Sequence, residues 1–135
     1  LPDVVGQIRF VPRLVYQDYL SLLMAADVVL DTIHYGGAIT AYDTFAVNTP
    51  IVTLPTMFSR GRYVYAAYQQ MGIEGGIAID PNDYIEKAFR FASEADYKVA
   101  FCNQLWEASA ELFEDDMAVN ELEEFLQRVL ESGHG

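Results

Sequence analysis

Four residues between two apolar runs have types and a spacing suited to binding a nucleotide. Gly36 and Gly37 form a turn that should bring bare backbone N–H groups to the carboxyl edge of a sheet, where open α/β sheets bind ligands. Thr40 and Asp43 follow, one helical turn apart, near a predicted helix start, and such a start favours phosphate. Backbone donors suit a diphosphate and a carboxylate suits a ribose diol, so the pattern indicates a nucleotide-sugar site.

No other residues form a catalytic or metal-binding pattern. His34 has no serine or carboxylate partner at a diagnostic spacing, which argues against a general base. Cys102 is the single cysteine, so the chain has no internal disulfide and no cysteine cluster for a metal. Asp115 and Asp116 lie between predicted helices without a cation-ligand pattern. We therefore expect neither a catalytic residue nor a metal site in this chain.

The elements that must position the candidate residues are strands alternating with helices. Apolar runs predict strands at residues 8–11, 27–31, 51–54 and 76–79, and apolar periodicity predicts helices at residues 17–26, 40–47 and 62–71. This order implies an α/β fold, a Rossmann-like parallel sheet with flanking helices. Only about four strands are visible, fewer than a nucleotide-binding half normally has.

The C-terminal part of the chain is predicted to be helical. Asp80 can cap a helix whose first turn holds Pro81 and Asp83, and Gly72 can end the helix before it. Two apolar stripes mark further helices: Phe101, Leu105, Ala108 and Leu112, then Val119, Leu122, Phe125, Leu126 and Val129. We divide this single partial domain into an α/β nucleotide-sugar-binding core at residues 1–80 and C-terminal helices at residues 81–135.

Charge and composition exclude several classes of partner. The net charge is −12, and residues 68–135 carry −11 of it, so a basic nucleic-acid footprint is absent and anionic membranes are repelled. No apolar run approaches the roughly 20 residues that span a bilayer. We expect a cytoplasmic protein without nucleic-acid or membrane partners, and a start at Leu1 rather than Met indicates a piece of a longer protein.

Several motifs occur together in a characteristic order. They are IRFVP at residues 8–12, ADVVLDT at 26–32, the Gly-Gly-x-x-Thr-x-x-Asp run at 36–43, TPIVTLP at 49–55, Gly-Arg at 61–62 and Met-Gly at 71–72. The set resembles the C-terminal catalytic region of the O-linked N-acetylglucosamine transferase family in its bacterial form, over roughly residues 8–130. The resemblance implies two Rossmann-like domains facing across a cleft, the GT-B arrangement, with this chain as the later part of the UDP-binding domain.

The resemblance also implies an activity and partners. Such enzymes transfer a sugar, here expected to be N-acetylglucosamine, from a UDP-sugar to protein Ser or Thr, and need no metal. The implied partners are the UDP-sugar donor, a protein or peptide acceptor, the N-terminal remainder of the catalytic region and helical repeats. The family's diphosphate-contacting lysine and its proposed catalytic groups lie upstream of this chain, so we expect the chain alone to be inactive.

The resemblance assigns the base contacts to the loop after the first predicted strand. Backbone groups near Leu14 would read the uracil edge, and Tyr16 and Tyr19 occupy positions where a side chain can lie against the base. Tyr19 could equally belong to the core. Some family members have a histidine and a second threonine where this chain has Ala38 and Ile39, so two hydrogen bonds at the phosphate site would be missing.

The resemblance assigns the sugar, phosphate and ribose contacts to the Gly-Gly segment. Tyr35 would approach the sugar, and Gly36 and Gly37 the sugar and diphosphate. Thr40 matches a phosphate-contacting threonine, and Asp43 matches the acid that holds ribose hydroxyls.

Plainer interpretations and two other functions stay open. The glycines could form a simple turn, Thr40 an N-cap, Asp43 a first-turn acid and Arg62 a structural ion pair. The chain could belong to a nucleotide-sugar isomerase or epimerase of the same fold, which should show acid/base carboxylates in the cleft. It could also be a non-enzymatic α/β interaction module with acidic helices as its surface.

Overall fold

The sheet of the chain is small and parallel. In a computed structural model, which describes residues 2–113 and 115–132, strand β1 (Val29–Leu30) pairs with strand β2 (Ile51–Val52), Val29 opposite Ile51 and Leu30 opposite Val52. A single parallel bridge between Thr53 and Ile77 extends the sheet past β2. Parallel pairing is therefore confirmed, but a full Rossmann-like sheet is not present in the part of the chain that the structure describes.

Helices make up most of the remaining chain. Those described are α1 (Pro2–Val5), α2 (Tyr16–Ala25), α3 (Ile39–Ala46), α4 (Tyr63–Gln70), α5 (Pro81–Ser93), α6 (Ala95–Ala108), α7 (Ala110–Phe113) and α8 (Asp116–Ser132), with a 3₁₀ turn at Ser59–Gly61. The helices predicted at residues 17–26, 40–47 and 62–71 are confirmed as α2, α3 and α4, and α5 to α8 confirm the helical C-terminal part.

The predicted strand at residues 76–79 is reduced to one bridge because a side chain takes the place of a neighbouring strand. The hydroxyl of Tyr68, on α4, donates to the carbonyl of Ile51 at 2.7 Å and accepts from its N–H at 3.0 Å. A Cβ on Gly76 would lie 2.6 Å from both the Tyr68 ring and the Ile51 carbonyl oxygen. The Tyr68 hydroxyl occupies the backbone groups of Ile51, so residues 76–79 can pair with this edge of β2 only from Thr53 onwards.

The predicted strand at residues 8–11 is wrong. No strand is assigned there, and the N–H of Ile8 donates to the carbonyl of Val5 in a turn that follows α1. The Phe10 side chain is 97% exposed. An apolar run becomes a strand only where a neighbouring strand pairs with its backbone, and these residues have no such neighbour in the described chain.

Two helix ends follow the predicted capping chemistry. Asp80 caps α5 because its Oδ1 accepts from the backbone N–H groups of Asn82 and Asp83 at 2.8 and 2.9 Å, and Pro81 is the first helical residue. Gly72 follows α4 with a φ of 67°, the left-handed conformation that glycine adopts without a penalty.

Aromatic side chains from four helices form the core. Phe45, Tyr68, Phe91 and Phe101 pack edge to face, with ring centroids 4.8 to 6.1 Å apart. Leu105 and Leu112 are buried beside them, which confirms the first predicted stripe. Among the described residues, no helix combines the length and the apolar composition that a membrane crossing requires.

The second predicted stripe is helical but exposed. Its members on α8 are each about half exposed or more: Val119, Leu122, Phe125, Leu126 and Val129. The division of the chain near residue 80 stays a prediction, and residues 133–135 of the predicted helical part lie outside the described residues.

Candidate functional site

Asp31 follows β1 directly and lies beneath the Gly-Gly turn. Its N–H donates to the Val52 carbonyl at 2.9 Å, and its buried carboxylate accepts from the N–H of Gly37 through Oδ1 at 2.8 Å. The N–H of Gly36 donates to the carbonyl of Arg60 at 2.8 Å. Both glycine N–H groups are used within the protein, so the expectation that they are bare is wrong.

Close contacts disfavour a side chain at these two positions. A Cβ on Gly36 would lie 3.1 and 3.2 Å from the two carboxylate oxygens of Asp31. A Cβ on Gly37 would lie 2.6 Å from Oγ1 of Thr40. Neither glycine has a positive φ angle, so the turn depends on the absence of side chains rather than on an unusual backbone conformation.

The start of α3 supplies the open hydrogen-bond donors that the glycines do not. Ala38 is the N-cap residue, and no side chain caps this helix. In residues 2–113 and 115–132, the N–H groups of Ala38, Ile39 and Thr40 have no acceptor. Thr40 lies in the first turn rather than at the N-cap, with an exposed side chain. These donors and the helix dipole together suit an anion.

Asp43 is hydrogen-bonded to a residue 27 positions before it. The hydroxyl of Tyr16, at the start of α2, donates to Oδ1 of Asp43 at 2.8 Å. This hydrogen bond is the main cause that raises the pKa of the Tyr16 phenol. The other carboxylate oxygen, Oδ2, has no hydrogen-bond partner in the described chain, so it is open to a further donor.

Tyr19 lies one turn along α2, beside the same carboxylate. Its ring centroid is 6.3 Å from that of Tyr16, with the two planes 38° apart. Partial burial, and then the charge of Asp43, raise the pKa of Tyr19. The structure therefore brings the two tyrosines that sequence reasoning assigned to the base together with the acid assigned to the ribose.

A cavity of about 290 Å³ opens between α2, β1 and α3. Of the predicted site residues, Tyr19, Gly37 and Thr40 line it, with Asp31 and Thr32 from the end of β1. Its volume is just below the range of about 300–1,000 Å³ for small-molecule pockets.

The remaining predicted residues lie around this cavity without lining it. Tyr35 lines a separate cavity of about 500 Å³, together with His34 and Tyr84. Gly36 is buried within the turn, and Leu14 is half-buried in the segment that leads into α2.

The arginines near the loop stabilise the backbone. Arg62 donates to the Thr56 carbonyl at 2.9 Å and lies 4.3 Å from the ring centroid of Tyr65. Arg60 donates to the carbonyl of His34 at 3.2 Å. Arg62 forms no ion pair with any residue that the structure describes, so the alternative of a structural ion pair is wrong within that part of the chain, although the role of Arg62 is structural.

The cavity contains a negative charge and no cation. Among the described residues, Asp31 is the one charged residue that lines it. In the same part of the chain, no group of three or more His, Cys, Asp or Glu residues is arranged to hold a metal ion. An anionic ligand here would rely on backbone donors from this chain.

Asp31 and Thr53 were missed by sequence reasoning. The hydroxyl of Thr53, which is fully buried, donates to Oδ2 of Asp31 at 2.8 Å. The available signal was an acidic residue directly after a buried strand, a position at the ligand-binding edge of an α/β sheet.

Comparisons with known proteins give relatives in both sequence and fold. The family described as Glycosyl transferase family 41 matches residues 17–122. A UDP-N-acetylglucosamine–peptide N-acetylglucosaminyltransferase from Caenorhabditis elegans is 28% identical over 103 residues, which cover 75% of this chain and 9% of that protein. A solved structure of a mutant Thermobaculum terrenum O-GlcNAc transferase matches with a TM-score of 0.73 at 23% identity and covers 87% of this chain and 22% of that one. The chain therefore spans a small part of the length of both relatives.

Proposed function

Because the chain belongs to glycosyl transferase family 41, we propose that it forms the UDP-sugar-binding part of a longer glycosyltransferase. The proposed reaction transfers a sugar, N-acetylglucosamine, from UDP to a Ser or Thr hydroxyl of an acceptor protein. The names of the two relatives support this choice of sugar and acceptor. The observation that carries the proposal is the uncapped start of α3, which opens beside a cavity within the matched residues.

The first turn of α3 is the proposed diphosphate site. Three successive backbone N–H groups, from residues 38 to 40, lack acceptors in the described chain, and the exposed hydroxyl of Thr40 adds a fourth donor. The positive end of the helix dipole favours the same negative charge. Fixed donors aimed at developing charge are a large source of transition-state stabilisation. Here they would stabilise the UDP leaving group.

Asp43 and the two tyrosines of α2 are the proposed nucleoside site. Oδ2 of Asp43 is available to a ribose hydroxyl, and Oδ1 would be shared with the hydroxyl of Tyr16 or released by it. Tyr19 presents an aromatic side chain to the cavity, where a base can stack. The backbone near Leu14 would read the uracil edge, and Tyr35, on the separate cavity, would approach the sugar.

The cation that a diphosphate needs would come from outside the cavity walls described here. Asp31 is the charged residue that lines these walls, and the arginines of the loop bind carbonyl groups. We assign that cation, the catalytic groups and the acceptor site to the remainder of the catalytic region. The proposal includes no metal ion.

Titration of the full-length protein with UDP and with uridine tests the proposal. We expect UDP to bind in the micromolar range, about −8 kcal/mol, and uridine to bind far more weakly because it lacks the phosphates. Thr40→Val removes a hydroxyl at nearly constant shape, so it should weaken UDP and leave uridine unaffected. Absence of UDP binding at about 1 mM, a free energy of about −4 kcal/mol, would contradict the proposal.

A further inference from the structure

Asp31 is a buried acid that is hydrogen-bonded to four neutral groups, two through its carboxylate and two through its backbone. Its oxygens accept from the N–H of Gly37 and from the hydroxyl of Thr53, both at 2.8 Å. Its own N–H donates to the Val52 carbonyl at 2.9 Å, and its carbonyl accepts from the hydroxyl of Tyr84 at 2.8 Å. No cation forms an ion pair with it in residues 2–113 and 115–132.

These bonds connect the interior of the sheet to the start of α3. Thr53 is fully buried at the carboxyl end of β2, so its hydroxyl is a fixed donor. Gly37 precedes the N-cap residue of α3, so its N–H sets the position of the open donors at residues 38 to 40. Asp31 accepts from Gly37 through one carboxylate oxygen and from Thr53 through the other. In the described chain, this carboxylate is the only hydrogen-bonded link between Thr53 and Gly37.

A merely space-filling residue at this position would be apolar. A buried charge without a cation is costly, and here it also lines the cavity that opens beside the proposed diphosphate site, so it repels a diphosphate there. The costs of burying the charge and of repelling a diphosphate are offset only if the hydrogen bonds from Gly37 and Thr53 strongly stabilise the local structure. Gly37 and Thr53 each lose a buried partner if the carboxylate is removed.

We propose that Asp31 is a positioning residue for the UDP-sugar site: it holds the first turn of α3 in place by joining Gly37 to Thr53. This inference rests on the proposed function. Asp31 touches no ligand in this role. It determines where the backbone donors of residues 38 to 40 point.

Four variants of the full-length protein, titrated with UDP and melted in parallel, test this role. Asp31→Ala removes both acceptors, whereas Asp31→Asn keeps one oxygen for Gly37 and removes the charge. Thr53→Val removes the hydroxyl that fixes the carboxylate. Thr49→Val is the matched control, because Thr49 is a buried threonine before β2 whose hydroxyl donates to the Leu23 carbonyl at 2.9 Å rather than to Asp31.

We expect Asp31→Ala to weaken UDP binding at least about tenfold, the effect of leaving buried partners unpaired near the ligand. Asp31→Asn should bind UDP within about threefold of the wild type, since it keeps the bond to Gly37. Thr53→Val should weaken UDP more than Thr49→Val does at a similar loss of melting temperature. If Asp31→Ala does not fold, the comparison of Thr53→Val with Thr49→Val still tests the role of Asp31.

Two results would overturn the role of Asp31 alone: a folded Asp31→Ala protein with wild-type UDP affinity, or an Asp31→Asn protein as weak as Asp31→Ala. Equal UDP losses in Thr53→Val and Thr49→Val would also count against it. A wild-type protein that binds no UDP would instead overturn the proposed function, and this role with it.

Discussion

Replacing Asp43 by alanine in the full-length protein should remove the proposed ribose contact with little effect on stability. Asp43 is half-buried, its Oδ1 holds the exposed hydroxyl of Tyr16, and its Oδ2 has no partner in the described chain. A hydrogen bond to a charged group contributes about 1.5–3 kcal/mol, which corresponds to a loss of roughly 10- to 150-fold in UDP affinity. The melting temperature should hardly change, because the lost contact with Tyr16 lies at the surface.

Calorimetric titration with two ligands isolates this contact. UDP should lose affinity for Asp43→Ala, whereas 2′,3′-dideoxy-UDP, which lacks the ribose hydroxyls, should bind the wild type and the variant alike. Asp83→Ala is the matched control, since it removes one acid from the first turn of α5. The Asp83 carboxylate accepts a hydrogen bond from the N–H of Ile79 and forms an ion pair with Lys87. Equal UDP affinity of Asp43→Ala and the wild type would refute the ribose assignment.

Three further outcomes follow from the same geometry. Gly37→Ala should weaken UDP about tenfold, because the new Cβ would lie 2.6 Å from Oγ1 of Thr40 and turn this proposed phosphate donor aside, and a hydrogen bond to a charged group is worth about 1.5–3 kcal/mol, whereas Gly6→Ala, with nothing within 4 Å, should change neither binding nor melting. UDP affinity should be the same with and without excess EDTA, and a strict need for magnesium or manganese would argue for another class of transferase. The pKa of Tyr16 is raised first by its bond to Asp43; NMR titration of Asp43→Ala should find it closer to about 10, and an unchanged value would show that the bond is absent in solution.

Local chemistry made the helices predictable from the sequence. Asp80 and Pro81 define the start of α5 through neighbours in the sequence, and Gly72 ends α4 through its own backbone freedom. Such signals need no knowledge of the rest of the fold. The strands depended on partners instead, and residues 8–11 have the composition of a strand but no strand to pair with among the residues that the structure describes.

The candidate site was predictable in its residue types but not in its hydrogen bonds. Thr40 and Asp43 were found because they lie close together in the sequence. The roles of the glycine N–H groups depend on Asp31, and that of Asp43 on Tyr16, 27 positions away. A one-dimensional pattern contains donors and acceptors, but the fold decides which of them are already satisfied.

The phenol of Tyr68 sets an alkaline limit to the stability of this fold. Burial raises its pKa well above the ordinary value of about 10, so folding favours the neutral hydroxyl. A raised folded-state pKa contributes stability that is complete below the unfolded value and declines as the pH climbs from about 10 towards the folded value. The proton that is lost at high pH is the one that Tyr68 donates to the Ile51 carbonyl. Its loss should therefore weaken the packing of α4 against β2. Alkaline denaturation followed by tyrosinate absorbance should therefore coincide with loss of the sheet, and Tyr68→Phe should abolish this coupling.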